Sequence, residues 1–129
     1  MGKRVEKLIM VTPFDSGIAS LSQAEQLVLL KGCVLCQITR DLDNESTKNK
    51  TDWRACKAEL GVEIAVYTLD RADAQVLDAI GHEAPAVCAF VDGEYHLLLD
   101  QVVLARCKGS VADFRGRLGF RASALGLEL

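Results

Sequence analysis

Two apolar runs separated by Asp92 and Gly93 constrain the fold of this chain more than any other feature. Residues 86–91 read AVCAFV and residues 94–99 read EYHLLL. Asp-Gly between two such runs is typical of a two-residue turn that joins antiparallel strands, since both turn positions adopt positive φ. We therefore predict a β-hairpin over residues 86–99.

Segments on both sides of this hairpin show the apolar period of a strand or a helix and a residue that ends it. They are a strand over residues 5–12, a helix over 53–60 capped by Thr51 or Asp52, a strand over 62–69, a helix over 72–80 and a helix over 111–118 capped by Ser110. A helix between two parallel strands crosses over right-handed and packs on a face of the sheet. The sequence therefore predicts an α/β fold with a small mixed sheet.

Two interpretations stay open for residues 20–30. Ser20 with Gln23 fits a capping box at the start of a helix, whereas residues 26–30 also suit a second short strand. Residues 43–50 are polar throughout, and we expect a solvated loop there.

The composition predicts a single domain over residues 1–129, with 50% hydrophobic and 26% charged residues. Lysine and arginine are scattered and the net charge is −3, so nucleic acid is not an expected partner. The apolar run at residues 8–11 is too short to span a membrane or to serve as a signal peptide. We therefore expect a cytoplasmic protein with no membrane partner.

The spacing of Cys33 and Cys36 is the main candidate for chemistry. The cytoplasm keeps thiols reduced, so the five cysteines of this chain do not predict a disulfide framework. A helix that starts at Cys33 places both sulfurs on one face at its positive end. The same spacing also serves zinc sites, but there is no second C-x-x-C, and neither His82 nor His96 completes a ligand spacing. We expect no metal site and no cofactor.

The other cysteines have simpler interpretations. Cys88 lies in the predicted hairpin and Cys56 on a predicted helix, and both are expected to be buried. Cys107 has a basic residue on each side, which suggests an exposed, oxidisable thiol. His82 precedes the proline of the hairpin and is expected to be an exposed helix-cap residue, with proton transfer to the thiols as the alternative.

Residues 84–94, APAVCAFVDGE, resemble the cis-proline strand and hairpin of the thioredoxin-like superfamily. Gly109 and Ser110 with Asp113 are similar to the glycine and acidic pair that opens the last helix of glutaredoxins. The resemblance covers most of residues 26–118. It implies a thioredoxin-like α/β fold with a central mixed sheet of about four strands flanked by helices, and a cis Ala84-Pro85 bond.

The resemblance also implies a thiol-disulfide oxidoreductase. Cys33 is the expected attacking thiol, because a helix N-terminus favours the thiolate and Lys31 adds to that effect. Cys36 is the expected resolving thiol.

The substrate side of this expectation rests on five residues outside the C-x-x-C, one of which is Lys31. Ala84 and Pro85 are expected to pair with a protein disulfide or a glutathione-like thiol, with Gly109 and Ser110 contributing to the same site. The alternative function is a thioredoxin-like adaptor that binds a protein without catalysis, through the proline loop or the exposed edge of the hairpin.

Overall fold

The computed structural model of the protein describes residues 2–15, 17, 20–22, 24–25, 33–39 and 47–129. Within these residues the strands are β1 (Lys3–Arg4), β2 (Lys7–Thr12), β3 (Glu63–Thr68), β4 (Ala86–Val91), β5 (Glu94–Leu99) and β6 (Leu127–Glu128). The α-helices are α1 (Val34–Thr39), α2 (Thr47–Leu60), α3 (Ala74–Ile80), α4 (Gln101–Arg106) and α5 (Val111–Ala124). No helix in the described ranges is long and apolar enough to cross a membrane.

Four strands form a mixed sheet in the order β3-β2-β4-β5. β2 runs parallel to β3, from Lys7 opposite Glu63 to Thr12 opposite Thr68. β4 is antiparallel to both β2 and β5. Near the chain ends, β1 pairs in parallel with β6. The predicted α/β class is confirmed, and the sheet has the mixed strand directions and four strands that were expected.

Alternate residues of β2 face opposite sides of the sheet, as the period of a strand requires. Leu8 and Met10 belong to a first core together with buried residues of α1, α2, α4 and α5. Ile9 and Val11 belong to a second core, which α3 covers with Val76 and Ile80. β2 is the one strand in this sheet that pairs with both a parallel and an antiparallel neighbour. Because both of its faces are apolar, helices pack on each side of it.

The predicted hairpin is confirmed, and its turn has the geometry that Asp-Gly favours. Asp92 has φ 50° and Gly93 has φ 78°, and both are left-handed. On the β5 side the pairing shifts, so that Val87 lies opposite Leu99 while Cys88 lies opposite Leu97. The extra residue, Leu98, forms a bulge.

Two helix predictions need correction at one end, and one helix was not predicted. α2 begins at Thr47 and not at a cap on Thr51 or Asp52, so residues 47–50 of the predicted polar loop are helical. Extending a formed helix costs little per residue, and lysine is a good helix former, so polarity alone did not mark a loop. α4 was not predicted at all, although Asp100 caps it by accepting the Val103 N–H at 2.9 Å. α5 continues past the predicted end at residue 118 to Ala124.

Part of the open segment is described. Ala24 and Glu25 are helical. The Ser22 Oγ accepts the Glu25 N–H at 3.2 Å and donates to the Glu25 carboxylate at 3.1 Å. Ser22 therefore caps this helix start, two residues after the predicted cap Ser20. Residues 26–30, where a strand was the alternative, lie outside the described residues.

Candidate functional site

The Ala84-Pro85 peptide lies at one end of the sheet. β4 begins at Ala86, which pairs with Val11 at the carboxyl end of β2. The Ala84-Pro85 bond is cis, as the resemblance implies. Pro85 is buried, and Ala84 is half-buried against the second core. The carboxyl end of β2 and the proline therefore share one end of the sheet, which we call the proline end.

The C-x-x-C lies at the start of α1, as predicted. Cys33 directly precedes the first helical residue, and Cys36 is within the helix. The Cys33 side chain is only 2% exposed and packs in the first core. Lys31 and the side chain of Cys36 lie outside the described residues. Because a nucleophilic thiol must reach its substrate, the burial of Cys33 is the main feature of the structure that the sequence did not predict.

The helix that carries the cysteines packs against α4, a helix that starts near the proline end. α1 contacts α2, α4 and α5. α4 follows β5 directly, and the last residue of β5, Leu99, pairs with Val87 just beyond the proline. Cys33, however, packs in the first core, whereas Ala84 packs in the second. The two parts of the predicted site thus belong to opposite faces of the sheet.

Gly109 and Ser110 have a structural role at the start of α5. Gly109 has φ 76°, a conformation that glycine adopts without strain. The Ser110 Oγ accepts the Asp113 N–H at 3.2 Å, which makes Ser110 the N-cap that was predicted. Because the hydroxyl oxygen is used by the helix, the expected contribution of this pair to substrate binding stays a prediction.

Two further thiols are inert by burial. Cys88 is fully buried in the second core, and burial raises its pKa to about 11. Cys56 is buried in the first core, where burial raises its pKa, Arg115 opposes that effect and Glu59 adds to it. Both predictions of a buried cysteine are confirmed. No two of Cys33, Cys56, Cys88 and Cys107 form a disulfide with each other.

The prediction of an exposed thiol at Cys107 is wrong. Cys107 is buried in the first core, and its thiol donates to the Val103 carbonyl oxygen at 3.5 Å. Burial and the nearby Asp113 raise its pKa, and Arg117 partly offsets them. Residues one position away point in other directions at the end of a helix, so Arg106 and Lys108 are exposed while Cys107 faces the core.

Each of the two histidines lies beside a carboxylate. His82 is exposed just after the left-handed Gly81, and its Nε2 lies 3.3 Å from the Asp78 Oδ1. This confirms the prediction of an exposed helix-cap histidine. The His96 Nε2 lies 3.7 Å from the Glu94 Oε2. Within the described part of the chain, no three histidine, cysteine, aspartate or glutamate side chains are arranged to hold a metal ion.

A groove that the sequence analysis missed lies on the outer side of β5. Its volume is about 560 Å³. β5, α4 and α5 line it with Leu97, Leu98, Leu99, Asp100, Val103, Asp113, Gly116, Arg117, Phe120 and Arg121. The sequence contained one indication of this groove, because continuing the predicted helix by one turn would have placed Phe120 on α5. Since the helix was predicted to end at residue 118, the exposed Phe120 was not recognised.

The fold and these sites define an α/β protein with a four-stranded mixed sheet, helices on both faces and a C-x-x-C at the start of a short helix. Comparisons of the chain with protein-family models, with curated proteins and with solved structures find no match.

Proposed function

We propose that this protein is a thiol-disulfide oxidoreductase of the thioredoxin-like superfamily. The observation that supports the proposal best is the sheet order β3-β2-β4-β5, in which Ala84 and Pro85 lie beside the carboxyl end of β2. The element order from β2 through the C-x-x-C helix to the terminal helix contains the elements that the resemblance implies, with α2 and α4 as additional helices.

The chemistry requires two steps of disulfide exchange. The Cys33 thiolate attacks one sulfur of a substrate disulfide, forms a mixed disulfide and releases the other substrate sulfur as a thiolate. Cys36 then attacks the Cys33 sulfur and releases the second substrate thiolate. The substrate gains two electrons, and the protein keeps an intramolecular disulfide that an external dithiol or glutathione must reduce.

The proposal requires Cys33 to become accessible, since its side chain is 2% exposed. The thiol lies directly before the first residue of α1, a helix of 6 residues, and the proposal requires the start of this helix to move so that a substrate reaches Cys33. The chemistry therefore predicts that Cys33 reacts with small disulfides more slowly than a fully exposed thiol does, but faster than Cys88 does.

Oxidation by glutathione disulfide tests this function. We expect the wild-type protein to lose two hydrogens by mass spectrometry, with peptide mapping of a Cys33-Cys36 disulfide that dithiothreitol reverses. The Cys36→Ser variant is expected to accumulate a glutathione adduct on Cys33, whereas the Cys33→Ser control is not. A wild-type protein that stays fully reduced while its fold is intact would contradict the proposal.

A second candidate function is a thioredoxin-like binding module without catalysis. The burial of Cys33 favours it, because a packed thiol is a small apolar side chain and not a nucleophile. The same experiment separates the two functions. A binding module gives neither the intramolecular disulfide nor the adduct in the Cys36→Ser variant, and an oxidoreductase gives both.

A further inference from the structure

β5 presents an unpaired backbone edge to the groove. It is the outermost strand on its side of the sheet. The Phe90 carbonyl oxygen accepts the Glu6 N–H at 3.0 Å, so it points toward the β2 side and not toward its partner Tyr95. When one residue of an antiparallel pair directs its backbone groups away from its partner, the partner residue also directs its own N–H and C=O away from the pair. Tyr95 therefore directs its N–H and C=O outward, and so does Leu97 two residues on, which lines the groove, so this edge is a template for another strand.

The floor of the groove beside this edge is apolar. Leu97 and Leu99 line it from β5, and Val103 lines it from α4. Phe120 stands on the α5 side and is 79% exposed, the largest exposure among the large apolar side chains of the described residues. Exposed apolar side chains that lie together mark interaction surfaces, whereas single exposed ones are common and need no explanation.

Gly116 keeps the groove open at the middle of α5. A glycine inside a helix costs about 1 kcal/mol relative to alanine. A β-carbon placed on Gly116 would meet no described atom outside its own helix within 4 Å, so packing does not require a glycine here. The residue lines the groove, and its missing side chain lets another backbone approach the helix closely. This is a second feature, independent of Phe120, that indicates an occupant.

The charge at the groove selects the chemistry of that occupant. α5 carries three arginines and one acidic residue, in a chain whose net charge is −3. Arg117 is paired with Asp113 at 3.3 Å, and Arg115 lies 3.6 Å from Glu59. Arg121 lines the groove, is exposed and has no ion-pair partner among the described residues. The other acidic residue of the lining, Asp100, uses its carboxylate to cap α4, so the Arg121 guanidinium is the charged group left for a ligand and favours a carboxylate on it.

We propose that this groove binds an extended acidic peptide segment of a partner protein, which adds to β5 as a fifth strand. Its backbone pairs with the outer edge of β5, an apolar side chain packs against Phe120 over Gly116, and a carboxylate binds Arg121. The proposal names the surface and the ligand class of the second candidate function, since β5 is the exposed edge of the hairpin, and it holds whether or not Cys33 and Cys36 exchange electrons.

Selection from a phage-displayed library of random dodecapeptides on the full-length protein tests this proposal. We expect enriched peptides with a glutamate or aspartate at a constant spacing from an apolar residue. A synthetic peptide of the enriched sequence, labelled with fluorescein, then gives the affinity by fluorescence polarisation. Amide shifts in NMR spectra are expected to map it to Tyr95, Leu97 and α5.

Three variants test the contacts. Gly116→Leu fills the groove and should weaken the peptide at least tenfold, with a melting temperature equal to or above that of the wild type. Arg121→Glu should weaken it by a similar factor, and a peptide with lysine in place of the acidic residue should recover part of the loss. Arg54→Glu, the same charge change on the exposed face of α2, is the control and should leave the affinity unchanged.

Four results would overturn the proposal. Two concern the selection: no peptide enriched over a Gly116→Leu counter-selection, or enriched peptides without an acidic residue. The third is an equal effect of Arg121→Glu and Arg54→Glu on affinity, and the fourth is a homodimer in sedimentation experiments, with an interface that buries the β5 edge. Failure here is distinguishable from failure of the redox proposal, because Cys33→Ser should abolish disulfide exchange and leave peptide affinity intact.

Discussion

At the scale of single residues, the cysteines show that position in an element decides what a thiol does. Cys88 alternates into the second core of the sheet, and Cys107 points inward at the end of α4, so both have a raised pKa. Their sequence neighbours differ: Cys88 lies between valine and alanine, whereas Cys107 lies between arginine and lysine. Local charge therefore did not predict reactivity, because the direction of a side chain depends on the element that carries it.

The raised pKa of Cys88 predicts a loss of stability at alkaline pH. The thiol ionises near pH 9 when the chain is unfolded and near pH 11 when it is folded. Between these values the unfolded chain binds fewer protons, so the free energy of unfolding falls as the pH rises. We expect this group to contribute about 3 kcal/mol below pH 9, lost as the pH approaches 11.

Urea unfolding of the wild type and the Cys88→Ala variant, at about pH 8 and about pH 10.5, measures this contribution. The free energy of unfolding should fall less for the variant than for the wild type, because the variant has no thiol to ionise. Equal falls in the two proteins would show that Cys88 does not keep its proton in the folded state.

At the scale of elements, side chains that accept the unpaired N–H groups of the first helical turn decide where the helices start. Asp100 and Ser110 accept the N–H groups of Val103 and Asp113, and each opens a helix directly after a strand or a turn. Ser110 was recognised from the sequence, and Asp100 was not, because the apolar run of β5 continues to Leu99 and leaves only a short polar signal before α4. Short helices carry too few turns for their period to be recognised.

Removing the cap of α5 should destabilise the protein measurably. Ser110→Ala leaves the Asp113 N–H without its acceptor, and we expect a loss of about 1 kcal/mol. Ser123→Ala is the matched control, since this serine lies exposed in the last turn of the same helix and should change stability by less than about 0.5 kcal/mol. Chemical denaturation followed by circular dichroism measures both, and an equal effect of the two variants would contradict the capping role.

At the scale of the whole molecule, α5 has one face in the core and another at the groove. Phe114 is fully buried in the first core and meets the Trp53 ring edge-on, with the ring centroids 5.8 Å apart. Phe120 is on the outer surface of the same helix, at the groove. The inner face therefore holds α2 and the sheet together, while the outer face is free to bind.

Two phenylalanine substitutions should separate these roles. Phe114→Ala removes a buried ring and should lower the free energy of unfolding by about 3–5 kcal/mol. Phe120→Ala should change it by less than about 0.5 kcal/mol, because the ring is exposed, yet weaken the selected peptide at least fivefold. Thermal unfolding followed by Trp53 fluorescence gives the stabilities. A Phe120→Ala variant as destabilised as Phe114→Ala would show that the groove is part of the core.

The sequence by itself determined the elements whose signals are local. The Asp92-Gly93 turn, the strand over residues 63–68 and the Gly81 end of α3 each follow from the φ values or side-chain periods of a few neighbouring residues. The α/β class followed from their order. Tertiary structure alone decided which face each helix covers, because that choice depends on contacts between residues far apart in the chain. It buried Cys33 and Cys107, exposed Phe120, and opened a groove beside β5 that no short stretch of sequence encodes.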